Sequence, residues 1–402
     1  MQKLITRLAQ KNSTKIVLVV LDGLGGLPLN GRTELETAAT PNMDRLAQVS
    51  ACGLHTPVAP GITPGSGPGH LSLFGYDPLE HQIGRGILEA LGLGLEITNA
   101  DIAVRCNYAT MKDGIITDRR AGRIPTDQSR KLTEMLQKNI PRIEDVELTF
   151  APGMEHRMAV VMRFPNALGK DAADIPDTAP QLEGRQPLKP LGSMKSAEHV
   201  AAIAEQLINR AHDVLRHEEK ANFILMRGFS GKPDIPTFEQ AYGLRALAIA
   251  TYPMYRGLAK LVGMQAPAIE GSVEDEIAFL KDNFDSYDFF FLHVKKVDSY
   301  GEDGNFSEKV KRIEEFDVLL PQIQAMKPDV LVITGDHSTP AIIKGHSWHP
   351  VPVFLHAPYV LGNLCASFSE RECFKGEFGV FPTVQLMPLI LANALRLRKF
   401  GA

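Results

Sequence analysis

Three separated runs of the chain show no polar alternation: Ile16–Leu21 (IVLVVL), residues 288–292 (DFFFL) and residues 329–334 (DVLVIT). A strand with one wet face alternates apolar and polar side chains, so continuous β-branched and aromatic runs belong to strands buried on both faces. Each run ends in residues able to do chemistry. The first passes into Asp22-Gly23; the second into His293, Lys295, Lys296, Asp298, Glu302 and Asp303; the third into Gly335, Asp336 and His337. In an open α/β sheet the C-terminal ends of such strands share one edge, where ligands bind. The sequence therefore predicts an α/β fold, a mostly parallel sheet flanked by helices, with carboxylates and imidazoles gathered along one edge.

Between these runs the signals are more local. Thr40-Pro41-Asn42 predicts a helix to about Val49, with Thr40 as N-cap and Pro41 in its first turn. Residues 61–78 (GITPGSGPGHLSLFGYDP) set Ser66 between two glycines with prolines outside them, a hydroxyl on a closely approachable backbone. A helix opening at about His70 would favour an anion beside that serine. From about residue 82 the texture changes to strand-like pieces such as residues 158–163, many prolines and a run of arginines, which marks an inserted domain. A helix over residues 196–216, capped by Ser196, buries Val200, Ile203, Leu207, Ala211 and Leu215 before a strand at 222–226. From about residue 241 the strand and helix alternation returns. Ser307 should cap a helix facing Val310, Ile313, Leu320 and Ile323 inward, kinked or shortened by Pro321. The expected organisation is a discontinuous core, 1–81 and 241–402, around an insert, 82–240.

Bulk properties exclude some classes. With 402 residues, 44% apolar and 22% charged, the chain can bury a large core, and its net charge of −4 gives no reason to expect nucleic acid or an anionic membrane as partner. Any anion site must come from locally placed arginines. Four cysteines without a CxxC pair read as reduced, buried thiols and hence a cytoplasmic protein. No apolar run is long enough for a membrane span, and the one near the N-terminus is too short for a signal peptide.

The gathered residues suggest their own use. Asp22, Asp298, Asp336, His337 and His346 form an oxygen-rich set with imidazoles, better suited to a pair of divalent cations than to one structural zinc. Two ions about 4 Å apart clamp the attacking and leaving oxygens of a phosphoryl transfer, and a serine hydroxyl bound to one of them becomes a nucleophile. Each residue alone has a plain structural reading: Asp22 as a turn, Asp336-His337 as a helix cap, His346 and His349 as satisfied polar groups. Their repeated placement at strand ends favours the site.

Asp22 after its strand, Thr40-Pro41-Asn42, GSGPGHLSLFGYDP, HVKKVDSYGEDGN, TGDHSTP and HSWHPVPV, in this order, resemble the alkaline phosphatase superfamily. Together with VRCNYAT, DRRAGR, NFILMRG and the tail LANALRLRKFGA, the chain is similar over nearly its whole length to the archaeal-type cofactor-independent (2,3-bisphosphoglycerate-independent) phosphoglycerate mutases. The resemblance implies an alkaline-phosphatase-like core with a smaller inserted α/β or α+β cap. It also implies Ser66 as a phosphorylated nucleophile, one metal held by Asp22, Ser66, Asp336 and His337, and a second held by Asp298, the residue four positions later, and His346. That later position departs from the commoner pattern, with Glu302 where many relatives carry histidine. A glutamate makes the set harder, so Mn²⁺, Mg²⁺ or Co²⁺ is expected over Zn²⁺; alternatively His293 or His349 completes the site.

Within the insert, Arg119, Arg120, Arg123, Arg157 and Arg227 are the candidates for holding a small phosphorylated carboxylate through forked guanidiniums, Arg120, Arg123 and Arg227 first by resemblance. His156 is a candidate acid/base, and Lys295 or Lys296 a candidate for stabilising the transferred phosphoryl group. The implied reaction moves the phosphoryl group of 3-phosphoglycerate to Ser66 and back to the 2-hydroxyl, with no 2,3-bisphosphoglycerate. The alternatives are a phosphatase or a mutase for another metabolite, or a catalytically weakened paralogue.

Overall fold

The structure is a computed structural model describing residues 2–180 and 182–401. It divides into two compact units, residues 1–82 with 235–402 and residues 83–234. Residue 82 and residues 235–240, expected in the insert, belong to the first unit. Tyr76 donates its hydroxyl to Pro236 O at 2.8 Å, and the Phe238 ring packs on Phe74 and Phe289.

The first unit is built on a seven-stranded sheet in the order Gly379–Pro382, Ala51–Thr56, Val351–His356, Val330–Thr334, Ile16–Leu21, Phe289–Val294, Ala246–Ile249. Only Val351–His356 runs against the others. The three unalternating runs are its centre, their strands Ile16–Leu21, Phe289–Val294 and Val330–Thr334 buried at every position and paired in parallel with Ile16–Leu21 in the middle. One face of these strands packs against Ile277 and Leu280 of the helix Val273–Asp282 and Ile313, Phe316, Leu320 and Ile323 of the helix Phe306–Gln324. The register sets Leu21 beside Val294 and Val20 beside Thr334, so the three chains leave the sheet at nearly the same level. Among the described residues no helix is long and apolar enough to cross a membrane.

The second unit is an antiparallel sheet centred on Asp101–Lys112, which pairs with Arg157–Arg163, Ile115–Asp118 and Phe223–Gly231. Its helix Lys195–Leu215 buries the five apolar residues expected of it.

Several helix ends differ from the local signals, because distant groups supply the caps. Thr40 makes no capping bond. The Asp317 carboxylate accepts instead from the Asn42 and Met43 amides at the start of Pro41–Gln48. Ser196 and Ser307 lie inside their helices; Met194 precedes the first without a side-chain bond, and Asn305 caps the second by accepting from Glu308 N. Pro321 does not end Phe306–Gln324. Its missing amide leaves the Asp317 carbonyl free, and Asn42 Nδ2 donates to that carbonyl at 2.9 Å. The predicted strand at 222–226 continues to Gly231.

Asp317 thus caps the helix Pro41–Gln48, and Asn42 of that helix in turn takes the carbonyl that Pro321 leaves free. Asp317→Ala should lower unfolding free energy by about 2 kcal/mol, since buried amides lose their acceptor, and Thr40→Ala by much less; urea unfolding of both variants measures the difference.

Candidate metal centre

Asp22 leaves the sheet directly after Ile16–Leu21, its amide donating to Val294 O at 3.0 Å. Gly23 follows at φ +67°, and a Cβ there would stand 2.6 Å from Thr339 Oγ1 and 2.9 Å from Asp298 Cα. Glycine therefore lets the loops after three strands close on one another. Asp298 lies in the helix Lys296–Glu302, just beyond Phe289–Val294. Asp336 and His337 follow Val330–Thr334, and the Asp336 Oδ1 accepts from Gly23 N at 3.1 Å.

The helix beside them starts at Ser66, four residues before the predicted position, so Ser66–Leu73 carries the candidate nucleophile in its first turn. Gly69 packs this helix against the Asp336 backbone, where a Cβ would stand 2.6 Å from the carbonyl oxygen. His346 comes from a loop folded back by Ser347 N donating to Ser338 O at 2.8 Å, and its Nδ1 bonds Pro64 O at 2.9 Å.

These elements bring the seven predicted ligands together, with the predicted Lys295 beside them. Ser66 Oγ lies 3.2 Å from His337 Nε2, which is 3.1 Å from Asp336 Oδ2 and 3.5 Å from Asp22 Oδ1. His346 Nε2 lies 3.6 Å from Asp298 Oδ1 and 3.7 Å from Glu302 Oε1, and its ring stacks on His337 with centroids 3.7 Å apart. Lys295 Nζ sits 2.9 Å from Asp22 Oδ2 and also bonds Asp298 Oδ2, whereas Lys296 is exposed. Of the alternatives to Glu302, His293 faces Asp22, with Nε2 3.4 Å from Oδ2, and His349 bonds Ser347 Oγ.

The donor set suits divalent cations. Asp22, Asp336 and His337 can converge on one ion, and Asp298, His337 and His346 on another point. Asp22 Oδ1 and Asp336 Oδ2 are buried with no hydrogen-bond partner, as are His70 Nε2 and both ring nitrogens of His293. Buried acceptors without partners are costly, and a cation would satisfy the carboxylate oxygens. The imidazoles are also oriented: with His337 Nδ1 bonded to Thr339 Oγ1 and His346 Nδ1 to Pro64 O, both Nε2 lone pairs face the carboxylates.

The charges are strongly perturbed. Burial raises the Asp22 pKa, but His293 at 3.4 Å, together with the charges of Lys295 and His337, outweighs it and holds the carboxyl well below its ordinary value. Burial and then the Asp22 charge push Asp336 well above its own. Burial holds His337 well below its usual value, as a neutral imidazole ligand requires. Burial, then Asp298, raises Glu302.

Sequence reasoning missed the groups that hold these residues. Tyr255 donates to Asp22 Oδ2 at 2.6 Å and lies against His293, ring centroids 3.8 Å apart. His70 Nδ1 bonds Ser66 O, and Thr339 Oγ1 donates to Asp298 Oδ1 at 2.8 Å. Thr339 stands in the quoted TGDHSTP segment; Tyr255 had no motif to mark it.

In the second unit, Arg120 and Arg123 lie on a turn whose amides bond Asp118, with Arg123 Nη1 3.7 Å from Glu155 Oε2. Their charges, with that of Arg157, bear on His156; burial first, then Arg157, lowers its pKa to about 4. Arg227 Nε bonds Asp177 Oδ2, and the Arg119 amide donates to Glu183 Oε1. Arg105 was missed. It pairs across the sheet with Arg227, and Arg85, Arg157 and Arg227 are near enough to depress its pKa after burial does so. The alternation of VRCNYAT, which puts Arg105 and Asn107 on one face, was the available signal.

This is an α/β chain with a serine, carboxylate and imidazole cluster of the kind that binds divalent cations. A sequence profile described as 2,3-bisphosphoglycerate-independent phosphoglycerate mutase matches residues 47–221. A probable 2,3-bisphosphoglycerate-independent phosphoglycerate mutase of Aquifex aeolicus is 58% identical over 99% of both chains, and one of Thermotoga neapolitana is 53% identical over 100% of this chain and 99% of its own. The structure of a cofactor-independent phosphoglycerate mutase from Thermoplasma acidophilum superposes with TM-score 0.77 at 28% identity, covering 95% of this chain and all of that one. A Pyrococcus horikoshii protein gives TM-score 0.79 at 29% identity over 98% of this chain and all of its own. The chain belongs to the 2,3-bisphosphoglycerate-independent phosphoglycerate mutase family.

Thr339 links both halves of the cluster through one hydroxyl. Thr339→Val should weaken Mn²⁺ binding roughly 10- to 100-fold, as loss of an orienting partner does elsewhere; isothermal titration of the metal-stripped protein reads the change.

Proposed function

We propose that the protein interconverts 3-phosphoglycerate and 2-phosphoglycerate through a phosphoserine at Ser66, without 2,3-bisphosphoglycerate, as a step of glycolysis and gluconeogenesis. The observation that carries this reading is the position of Ser66 Oγ, 3.2 Å from His337 Nε2 in the same cluster as Asp22 and Asp336. Family membership supplies the substrate class.

Two divalent cations, one held by Asp22, Ser66, Asp336 and His337 and the other by Asp298, Glu302 and His346, would lower the serine pKa and neutralise phosphoryl oxygens. The glutamate favours Mn²⁺, with Mg²⁺ or Co²⁺ next and Zn²⁺ less suited. Ser66 attacks phosphorus, forming the Oγ–P bond as the bond to the 3-oxygen breaks. The glycerate turns, and its 2-hydroxyl attacks the phosphoserine, returning Oγ as the leaving group. Ser66, in the first turn of its helix, offers the resulting phosphate that helix's amides and dipole. Lys295 counters phosphoryl charge. Arg119, Arg120, Arg123, Arg157 and Arg227 bind the carboxylate and phosphate, and Arg105 adds positive charge beside Arg227. His156, its pKa lowered to about 4 by burial and then Arg157, is neutral at pH 7, and the bound substrate anions would raise that value toward one useful for accepting the hydroxyl proton. The cysteines are all buried and free, which supports a reducing, cytoplasmic setting.

The test supplies 3-phosphoglycerate and Mn²⁺ and follows 2-phosphoglycerate by coupling to enolase while measuring released phosphate. The expected result is 2-phosphoglycerate with little phosphate, loss of activity on chelation, and a fall of at least about 1,000-fold in kcat for Ser66→Ala. Phosphate release without 2-phosphoglycerate would make the protein a phosphatase, and full turnover by Ser66→Ala would remove the nucleophile.

A further inference from the structure

A lysine that takes no part in this scheme is completely buried beside it. Lys309, in the helix Phe306–Gln324, is 0% exposed. Its Nζ donates to Gly25 O at 3.0 Å and Thr339 O at 2.9 Å, and lies 3.8 Å from Glu34 Oε1. Burying an ammonium is costly where burying an apolar side chain of the same length is not. What this one contacts is informative. Gly25 follows Asp22 in its loop, and Thr339 follows His337 in the other, so one charged group joins the two segments that deliver ligands.

The surroundings reinforce the join. Thr339 N donates to Gly25 O at 3.0 Å, and Glu34 Oε1 accepts from Ala341 N at 2.7 Å. Glu370 accepts from Gly26 N at 2.9 Å and from Thr33 Oγ1 at 2.7 Å, which ties the first loop from its far side. The Thr339 backbone gripped by Lys309 also carries the hydroxyl that bonds both Asp298 and His337. A continuous path of short contacts therefore runs from Lys309 through Thr339 to both halves of the metal centre.

We propose that Lys309 is a positioning residue for the metal centre, a built-in cation that clamps the Asp22 loop to the Asp336-His337 loop and so sets the affinity for divalent cations. This rests on the reading of Asp22, Asp298, Asp336 and His337 as metal ligands. Lys309 touches no substrate and acts through Thr339.

The test replaces Lys309 by methionine, which keeps length without charge. Circular dichroism and a thermal melt report folding, and titration of the metal-stripped full chain with Mn²⁺ reports affinity. The expected result is a folded variant whose Mn²⁺ dissociation constant is raised roughly 10- to 100-fold, with turnover of 3-phosphoglycerate recovering as Mn²⁺ is increased and KM little changed. In a Thr339→Val background the same substitution should cost markedly less, because both act along one path. A folded Lys309→Met with wild-type Mn²⁺ affinity overturns the proposal. If that variant does not fold, Glu34→Gln, which keeps the acceptor for Ala341 N and removes the counter-charge, decides: unchanged Mn²⁺ affinity overturns the proposal and weakened affinity supports it. Wild-type protein that binds no Mn²⁺ overturns the ligand reading, and this inference with it.

Discussion

The parallel pairing of Ile16–Leu21 with Phe289–Val294 on one side and Val330–Thr334 on the other is the constraint from which the site follows. Because Leu21 is level with Val294 and Val20 with Thr334, three chains emerge from the sheet together, and the next few residues of each must share a small volume. Gly23 makes the sharing possible, since any side chain there would collide with Thr339 and Asp298. The gathering of like charges is a consequence of register. Repulsion between Asp22 and Asp336 is expressed in their opposite pKa shifts, one held down by His293, Lys295 and His337 against burial, the other driven up by burial and by its neighbour. A cluster that keeps one carboxylate ionised beside another that resists ionisation holds a strong preference for added positive charge.

Much of this was legible in the amino-acid sequence, for physical reasons. A strand buried on both faces cannot alternate, so the three central runs declare themselves, and the residues just past their ends are the ones the sheet brings together. Ser66 was marked by its glycines and prolines, but its helix begins at the serine itself. Pro68 in the first turn is compatible with that start, because the missing amide would have had no helical partner there.

What was not legible depends on groups distant in sequence. A helix cap read locally as Thr40 is supplied by Asp317, 275 residues from Asn42. Pro321 is tolerated because Asn42 reaches the carbonyl it leaves free. Tyr255 and Lys309 carry no periodic or motif signal, and His70, though within the GSGPGHLSLFGYDP segment, was marked only as a helix start; the packing shows that each holds a backbone or carboxylate atom of the site. Arg105 was within reach of the alternation rule, because its strand puts it on the face that also bears Asn107.

On the proposed reading the strand-end residues form two cation sites sharing one edge of the sheet, with Ser66 on the first. Anomalous X-ray scattering from crystals grown with Mn²⁺ tests it most directly. Two anomalous peaks are expected, one bounded by Asp22, Ser66, Asp336 and His337 and one by Asp298, Glu302 and His346. A single peak elsewhere, or peaks that leave Ser66 outside the coordination of either ion, would contradict it.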